Sequence, residues 1–234
     1  MDEGTLLFYK TQWATLHSVT YRTQSPDERG GCQVTGIYSD YDTAMSELLS
    51  KMINNLGVVI MSVILEQNDS VILQRTLPQN LEYVMDAERD PENSPFIGQW
   101  TNEEHQIALD KSDLLHLLAL NKLDNSPIGF AILTGLQNLN HRIELKRLVV
   151  TNKGRGYGKE ILRLIKSLTF GQLGAHRLWL DVRSNNPRAK HVYETEGFIV
   201  EGILRESVFL DGQYLSLSVM SVLENEFKPM AQKG

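Results

Sequence analysis

The sequence lacks several features that mark common classes of protein. Cys32 is its one cysteine, so no internal disulfide can form, and no Cys/His spacing matches a zinc site. No basic run with interleaved aromatic residues is present, and the formal net charge of −6 argues against a nucleic-acid partner. The longest apolar run, residues 57–65, is too short to span a membrane. The N-terminus lacks the basic start and apolar stretch of a signal peptide. We therefore expect a cytoplasmic protein without a membrane, metal or nucleic-acid site.

Residues 1–68 predict a small αβ unit of unknown role. Runs of β-branched and aromatic residues favour strands, and apolar residues at three-four spacing favour one helix. The strands are predicted at residues 6–21, 33–38 and 58–65, and the helix at residues 42–56. A polar cluster at residues 67–70 marks the boundary. The sequence leaves open whether this unit packs on the rest of the chain, covers a substrate groove or mediates a homodimer.

Residues 69–228 predict a larger α/β domain, followed by a tail at 229–234. Its strands are predicted at residues 71–76, 115–121, 128–136, 141–150, 176–183, 198–210 and 214–223. Its helices are predicted at residues 80–88, 102–111, 156–173 and 187–196. Asp211-Gly212 between the last two strands is a strong hairpin signal. Strands with intervening helices indicate a mixed α/β sheet.

The most informative segment is a glycine-rich turn between a predicted strand and a predicted helix. Gly154, Gly156 and Gly158 lack Cβ atoms, so the oxygens of a ligand can approach backbone N–H groups closely. Those amides open a helix, where unpaired donors and the helix dipole favour an anion. Arg155 and Lys159 add positive charge. The turn therefore has the chemistry of a phosphate cradle, and a glycine-rich helix start without a ligand is the alternative.

Two common nucleotide motifs do not fit this turn. The Walker loop needs a glycine five positions before its Gly-Lys and a Ser or Thr after it, but Lys153 and Glu160 stand there. The dinucleotide fingerprint GxGxxG needs a third glycine, and that position falls on Lys159 or Ile161. A Rossmann-type oxidoreductase is therefore the weaker enzyme alternative.

A third pattern fits, and a second motif accompanies it. The segment Lys153-Gly-Arg-Gly-Tyr-Gly158 resembles the coenzyme A pyrophosphate loop of the GNAT N-acetyltransferase superfamily, Gln/Arg-x-x-Gly-x-Gly/Ala, with lysine in the first position. One strand later, the family's Asn-x-x-Ala…Tyr…Gly-Phe signature is matched by Asn186, Ala189, Tyr193, Gly197 and Phe198. Residues 201–206, the Asp-Gly turn and Met220 are similar to the branch that includes spermidine and ribosomal-protein N-terminal acetyltransferases. The resemblance covers residues 71–226.

The resemblance implies a mixed, mostly antiparallel sheet flanked by helices, with acetyl-coenzyme A as cosubstrate and no metal. In this family the fourth and fifth strands splay apart, and the pantetheine arm would pair with backbone groups of Leu148, Val149 and Val150. The residues that would hold the pyrophosphate are Lys153, Gly154, Arg155, Gly156, Tyr157, Gly158 and Lys159. Asn186 would contact the pantetheine or phosphate region, and Arg188 would reach a phosphate or stay on the surface.

Acetyl transfer to an amine poses two proton problems. An alkylamine is almost wholly protonated at pH 7 and must lose a proton before it attacks, and the leaving thiolate benefits from gaining one. Tyr193 matches the family tyrosine that points at the sulfur and is the candidate acid. Glu144 is the candidate base, with His141 as an alternative. Strict strand alternation predicts that Glu144, Lys146 and Leu148 face one side of the sheet.

The acceptor amine is less well marked by the sequence. A set of acidic residues falls where the family's first two helices wall the substrate groove: Glu82, Asp86, Glu88, Asp90, Glu92, Glu103 and Glu104. Such a wall would attract a cationic amine through its long-range field, and polyamines, aminoglycosides and protein N-termini all remain open as acceptors. A solvated acidic helix face is the simpler interpretation. A protein that binds acetyl-coenzyme A without catalysis is the remaining alternative.

Overall fold

The computed structural model describes residues 7–13, 16–22, 33–38, 64–210 and 212–228. The chain separates into two compact units between Met61 and Ser62. The boundary therefore falls earlier than the predicted polar cluster at 67–70. It does so because residues 64–67 form a strand of the second unit.

The first unit contains a three-stranded antiparallel sheet. Its strands are β1 (Leu7–Trp13), β2 (Leu16–Arg22) and β3 (Gln33–Tyr38), in that order across the sheet. Composition predicted one strand over residues 6–21, but the chain reverses there, and Trp13 pairs with Leu16. Strand propensity marks extended backbone and does not mark a reversal that lacks glycine or proline. Cys32 and the predicted helix at 42–56 lie outside the described residues.

The second unit is built on an eight-stranded sheet with the order β10-β11-β9-β8-β7-β6-β5-β4. Its strands are β4 (Ile64–Gln67), β5 (Val71–Arg75), β6 (Leu114–Asn121), β7 (Pro127–Thr134), β8 (Arg142–Val150), β9 (Arg177–Arg183), β10 (Ile199–Leu210) and β11 (Gln213–Leu223). Every neighbouring pair is antiparallel except β8 and β9, which run parallel. The mixed, mostly antiparallel sheet that the sequence predicted is confirmed.

Four helices pack on the two faces of this sheet. They are α1 (Leu81–Arg89), α2 (Asn102–Leu109), α3 (Tyr157–Ser167) and α4 (Pro187–Thr195). A π-helical turn, Leu168–Gln172, extends α3 and replaces the single long helix predicted at 156–173. Within the described ranges, no helix combines the length and apolar character that crossing a bilayer requires.

The two faces of the sheet have separate apolar cores. On the face covered by α3 and α4, called the α3 face, Ile161 and Ile165 pack with Leu178, Leu180 and Val182 of β9. On the opposite face, called the α1 face, five buried residues form a smaller cluster: Val84, Ala87, Phe130, Ile132 and Val149. A strand side chain is therefore assigned to a face by the cluster that it joins.

A β-bulge in β8 changes which residues share a face. Ile132 of β7 pairs with Arg147, and the next residue, Leu133, pairs with Leu145, so Lys146 is the extra residue. As a result, Leu145 and Leu148 both pack on the α3-face core. The prediction that Glu144, Lys146 and Leu148 face one side was therefore wrong for Leu148, because strict alternation fails at a bulge.

Strands β8 and β9 are joined over a short stretch and then separate. Their parallel pairing runs only from Arg142 opposite Arg177 to Glu144 opposite Trp179. Residues 145–150 of β8 and 180–183 of β9 have no pairing with each other, and we call the space between them the β8–β9 gap. The strand edges that border it carry backbone groups that a ligand can use.

A chain of buried polar side chains links α1 and α2 to the sheet. The guanidinium of Arg147 donates to Glu88, whose carboxylate lies 3.4 Å from Nε2 of His105. His105 shares a 3.2 Å hydrogen bond with His116, which shares one of 2.8 Å with Thr76. These side chains thereby connect the two helices with β6, with β8 and with Thr76, the residue after β5. Hydrogen bonding offsets the cost of burying their polar groups.

Gly129→Ala will disturb the packing of β7 against β8. A Cβ at position 129 would lie 2.3 Å from the carbonyl oxygen of Val149, so the strands must shift. We expect a loss of about 1–3 kcal/mol of unfolding free energy, measured by urea denaturation. Gly202→Ala is the control, since an added Cβ there meets nothing within 4 Å. Equal stability of the two variants would contradict this account.

The stability of the second unit will fall as pH drops below about 6.5. Burial is the main cause that lowers the pKa of His116 from 6.5 to about 3, and nearby His105 and Arg147 contribute to the same shift. Between pH 6.5 and about 3, His116 binds a proton in the unfolded chain but not in the folded chain. The unfolding free energy therefore falls by about 1.4 kcal/mol for each pH unit below 6.5. Urea denaturation at several pH values should show this slope reduced in His116→Gln and unchanged in His191→Gln, an exposed control. Parallel slopes for wild type and His116→Gln would disprove it.

Candidate functional site

The glycine-rich turn has backbone angles that only glycine adopts easily. Gly154 has φ of 79° and Gly156 has φ of 81°, both in the left-handed region. A Cβ on either would meet nothing within 4 Å, so the angle, and not crowding within the chain, requires glycine. Gly156 is the N-cap residue of α3 and supplies no side-chain cap. The first amides of α3, at Tyr157 and Gly158, therefore have no partner among the described residues.

The charged side chains around this turn differ in whether they are paired within the protein or open to a ligand. Lys153 forms a 2.9 Å ion pair with Glu92, which lies in the loop between α1 and α2. Arg155 is exposed, and Lys159 is partly buried in the first turn of α3. The hydroxyls of Tyr83 and Thr151 share a 2.9 Å hydrogen bond that ties α1 to the start of the turn. The turn is thus anchored at its beginning and presents free amides and Arg155 at its end.

The end of β8 leads directly into this turn. Val149 and Val150 pair with Phe130 and Gly129 of β7 on one side, and on the other side they border the β8–β9 gap. Leu148 and Val150 pack against the α3-face core, while Val149 joins the α1-face cluster. Packing on both faces holds this edge in place without strand pairing to β9.

Helix α4 begins with a side-chain cap. Oδ1 of Asn186 accepts a hydrogen bond from the backbone N–H of Ala189 at 3.1 Å, and Pro187 occupies the first helical position. This cap gives Asn186 a structural task in addition to the ligand contact that the resemblance implies. Arg188 is exposed in the first turn of the helix.

The end of α4 explains the Gly-Phe pair of the second signature. Gly197 has φ of 91°, its N–H donates to Glu194, and the N–H of Phe198 donates to the carbonyl of Tyr193 at 3.0 Å. These two bonds form a Schellman motif, in which glycine takes the left-handed position. The ring of Phe198 then contacts that of Tyr193 edge to face, with centroids 5.7 Å apart. The motif therefore fixes the position of Tyr193.

The phenol of Tyr193 lies in an environment that keeps it protonated. Its side chain is half-buried and packs against the α3-face core. Burial raises the pKa of the Tyr193 hydroxyl, and the negative charge of Asp181 raises it further. Among the described residues none hydrogen-bonds to this hydroxyl, which leaves it able to donate to a ligand.

Two carboxylates and a lysine lie at the β8–β9 gap on the α1 face. Glu144 is half-buried, and its carboxylate is 3.7 Å from the ammonium of Lys146. Burial raises the pKa of the Glu144 carboxyl; Lys146 opposes that shift, and the charge of Asp181 adds to it. The surroundings of Asp181 partly desolvate it and raise its pKa as well. A carboxylate whose pKa is raised is a better proton acceptor near neutrality.

A charged network holds α4 against α3. Arg163 donates to both carboxylate oxygens of Glu196, at 2.9 and 3.0 Å, and also to Glu160. The ammonium of Lys166 donates to the backbone carbonyl of Glu196 at 2.5 Å. Glu196 is the C-cap residue of α4, so the network joins the helix that carries Tyr193 to the helix that opens at the glycine turn.

The predicted acidic wall is only partly present. Glu88 is 1% exposed and is neutralised by Arg147, so its inclusion in that wall was wrong. Glu104 forms the capping box of α2 with Thr101, and Glu92 is paired with Lys153. Five residues of the set are exposed and have no ion pair with a described residue: Glu82, Asp86, Asp90, Glu103 and Glu104. His141, the alternative base, sits exposed in the turn before β8, at the closed end of the gap.

Sequence reasoning missed two charged residues that the structure brings to this region. Neither Asp181 nor Arg147 is assigned a role by the sequence motifs. Each is a charged residue within an apolar strand, in the runs Leu-Val-Val after Arg147 and Leu-Trp-Leu before Asp181. Such a residue is usually paired or functional, and that was the available signal.

Gly197→Ala will weaken the end of α4. An alanine that keeps the left-handed backbone angle lowers the unfolding free energy by about 1–2 kcal/mol. If the backbone at position 197 relaxes to avoid this angle, it displaces Tyr193. We expect a lower melting temperature and a lower rate of acetyl transfer. Gly171→Ala is the control, since it has ordinary backbone angles and open space. If Gly197→Ala had the melting temperature and acetyl-transfer rate of this control, the Schellman motif would not fix the position of Tyr193.

Comparison with known proteins places this geometry in a family. Residues 81–198 match the acetyltransferase (GNAT) family. The spermidine N(1)-acetyltransferase of Escherichia coli strain K12 is 25% identical over 167 residues, which cover 68% of this chain and 88% of that enzyme. The enzyme of the same name from Vibrio cholerae is 28% identical over 101 residues, covering 43% of this chain and 58% of its own length.

A solved structure has the same fold. The spermidine N-acetyltransferase of Vibrio cholerae, crystallised with CoA and spermine, superposes with a TM-score of 0.63 at 19% identity, covering 68% of this chain and 98% of that one. The match to the family extends from the start of α1 to Phe198 and includes both sequence signatures. The resemblance inferred from the two signatures is therefore confirmed, and the chain belongs to the acetyltransferase (GNAT) family of acetyl-coenzyme A-dependent enzymes.

Proposed function

We propose that this protein transfers the acetyl group of acetyl-coenzyme A to a primary amine of a cationic small molecule of the polyamine class. Transfer occurs by direct attack within a ternary complex. The observation that carries the proposal is the β8–β9 gap, which has the glycine turn at its open end, while Tyr193 packs against the same core as Leu148 and Val150 of β8.

The residues present fit the cosubstrate. The free amides of Tyr157 and Gly158 at the start of α3, together with Arg155, supply donors and positive charge for a pyrophosphate. The edge of β8 from Leu148 to Val150 offers backbone groups to an amide-containing arm, as a neighbouring strand would. Lys153 contributes less direct charge, because it is paired with Glu92.

The two proton problems have candidate residues on opposite faces of the sheet. Tyr193, kept protonated by its raised pKa, donates its proton to the sulfur as the carbon–sulfur bond breaks. Glu144 takes a proton from the ammonium, so that the neutral nitrogen can form the new carbon–nitrogen bond. The nitrogen loses a second proton as the adduct collapses to the amide. That proton replaces the one given by Tyr193, and Glu144 then releases its own to solvent, so the reaction releases one proton in all.

The polyamine class is supported by charge and by the relatives. The exposed carboxylates of α1, Glu82 and Asp86, lie on the face that carries Glu144 and would attract a cation. The relatives from Escherichia coli and Vibrio cholerae are spermidine N(1)-acetyltransferases. An uncharged amine would gain nothing from this field.

Tyr193→Phe will lower kcat for acetyl transfer to spermidine by about 10²–10⁴-fold, the usual contribution of a positioned acid. Acetyl-coenzyme A should still raise the melting temperature of the variant by several degrees, as in wild type, because the glycine turn is intact. Tyr214→Phe, on the exposed β10–β11 hairpin, is the control and should behave as wild type.

Three results would count against the proposal. Unchanged turnover in Tyr193→Phe would remove the tyrosine from the mechanism. A thermal shift with acetyl-coenzyme A but no acetylation of spermidine, spermine or simpler alkylamines would indicate binding without catalysis. A shift with NAD in place of acetyl-coenzyme A would favour a dinucleotide enzyme.

A further inference from the structure

Asp181 lies at the β8–β9 gap just past the point where the two strands part. The last parallel pair joins Glu144 to Trp179, and Asp181 is two residues further along β9. Its neighbours Leu180 and Val182 point into the α3-face core. Strand alternation therefore directs Asp181 to the α1 face, the same face as Glu144.

The carboxylate of Asp181 is open to a ligand. Its side chain is exposed, although both flanking residues are buried. No described residue donates a hydrogen bond to it. Lys146 is close enough to lower its pKa but directs its ammonium to Glu144, at 3.7 Å. Arg183, on the same face, donates to the carbonyl of Pro95 in the loop after α1.

Asp181 is also coupled to the tyrosine on the other face. Tyr193 packs from α4 against the α3-face core, yet the charge of Asp181 acts on its hydroxyl. The charge of Glu144 is coupled to Asp181 in the same way. Asp181 is thus the group that the acid and the base have in common.

We propose that Asp181 is a catalytic residue of the amine site, where its carboxylate binds the ammonium of the acceptor. Glu144 is half-buried beside Lys146, and Asp181 adds a second, exposed carboxylate on the same face, where Lys146 and Arg183 are the nearby cations. Asp181 orients the nitrogen toward the gap, and Glu144 accepts the proton that the nitrogen loses. This inference rests on the proposed acetyl transfer to a cationic amine.

The test is the kinetics of Asp181→Asn, which keeps the shape of the side chain and removes its charge. A hydrogen bond to a charged group supports an increase of about 10- to 100-fold in the KM for spermidine, or an equal loss in kcat/KM. The KM for acetyl-coenzyme A should change less than about twofold, since the cradle residues are untouched. Asp181→Glu should recover part of the loss. Asp124→Asn, an exposed carboxylate in the β6–β7 turn, is the matched control.

A second acceptor separates charge recognition from a structural effect. A weakly basic alkylamine, uncharged at the assay pH, should lose less than threefold in kcat/KM with Asp181→Asn, because it presents no ammonium. Equal losses for both amines would overturn the proposal, as would spermidine kinetics in Asp181→Asn that match wild type. Absence of turnover by the wild-type protein with every amine would instead overturn the proposed function, and this inference with it.

Discussion

The buried ion pair between Arg147 and Glu88 is the interaction on which the rest of the site depends. Arg147 follows the bulge residue Lys146. Without the bulge, strand alternation would direct the Arg147 side chain to the α3 face, away from Glu88 on α1. Its ring-face contact with Trp100, 4.6 Å from the centroid, adds to the constraint. Because an unpaired charge in this interior would be severely penalised, the pair makes the bulge obligatory. The bulge in turn sends Leu148 to one core and Val149 to the other.

In the proposed mechanism, this arrangement places the acid and the base on different faces of one sheet. The α3 face supplies the glycine turn and the tyrosine, and two separate devices hold them together: the Schellman motif at Gly197 and the Glu196 network. The α1 face supplies Glu144 and the exposed carboxylates. The β8–β9 gap leaves the edges of both strands without pairing to each other beyond Glu144 and Trp179. A reaction that needs an acid and a base on opposite sides of one carbonyl matches this layout.

The sequence predicted most elements of the larger domain within a few residues, because its strands are apolar and its turns carry clear Asn, Gly and Pro signals. Both signatures of the site were also visible, since glycine turns and helix caps are local devices. The bulge at Lys146 could not be predicted, because it results from pairing between strands. The burial of Glu88 was missed for a related reason: its partner Arg147 is distant in sequence. The early reversal between β1 and β2 has no glycine or proline to mark it.

The short parallel junction between β8 and β9 also has a mechanical consequence. It divides the sheet into a five-stranded part, β4 to β8, and a three-stranded part, β9 to β11. Elsewhere in the central sheet the strands are bonded along most of their length, whereas here the backbone link ends at Glu144 and Trp179. Cohesion across this seam therefore falls mainly to the helices on the α3 face. Under a force applied across the strands, the domain would separate first at this seam. A molecule that bonds to both strand edges would therefore strengthen the domain against such a force.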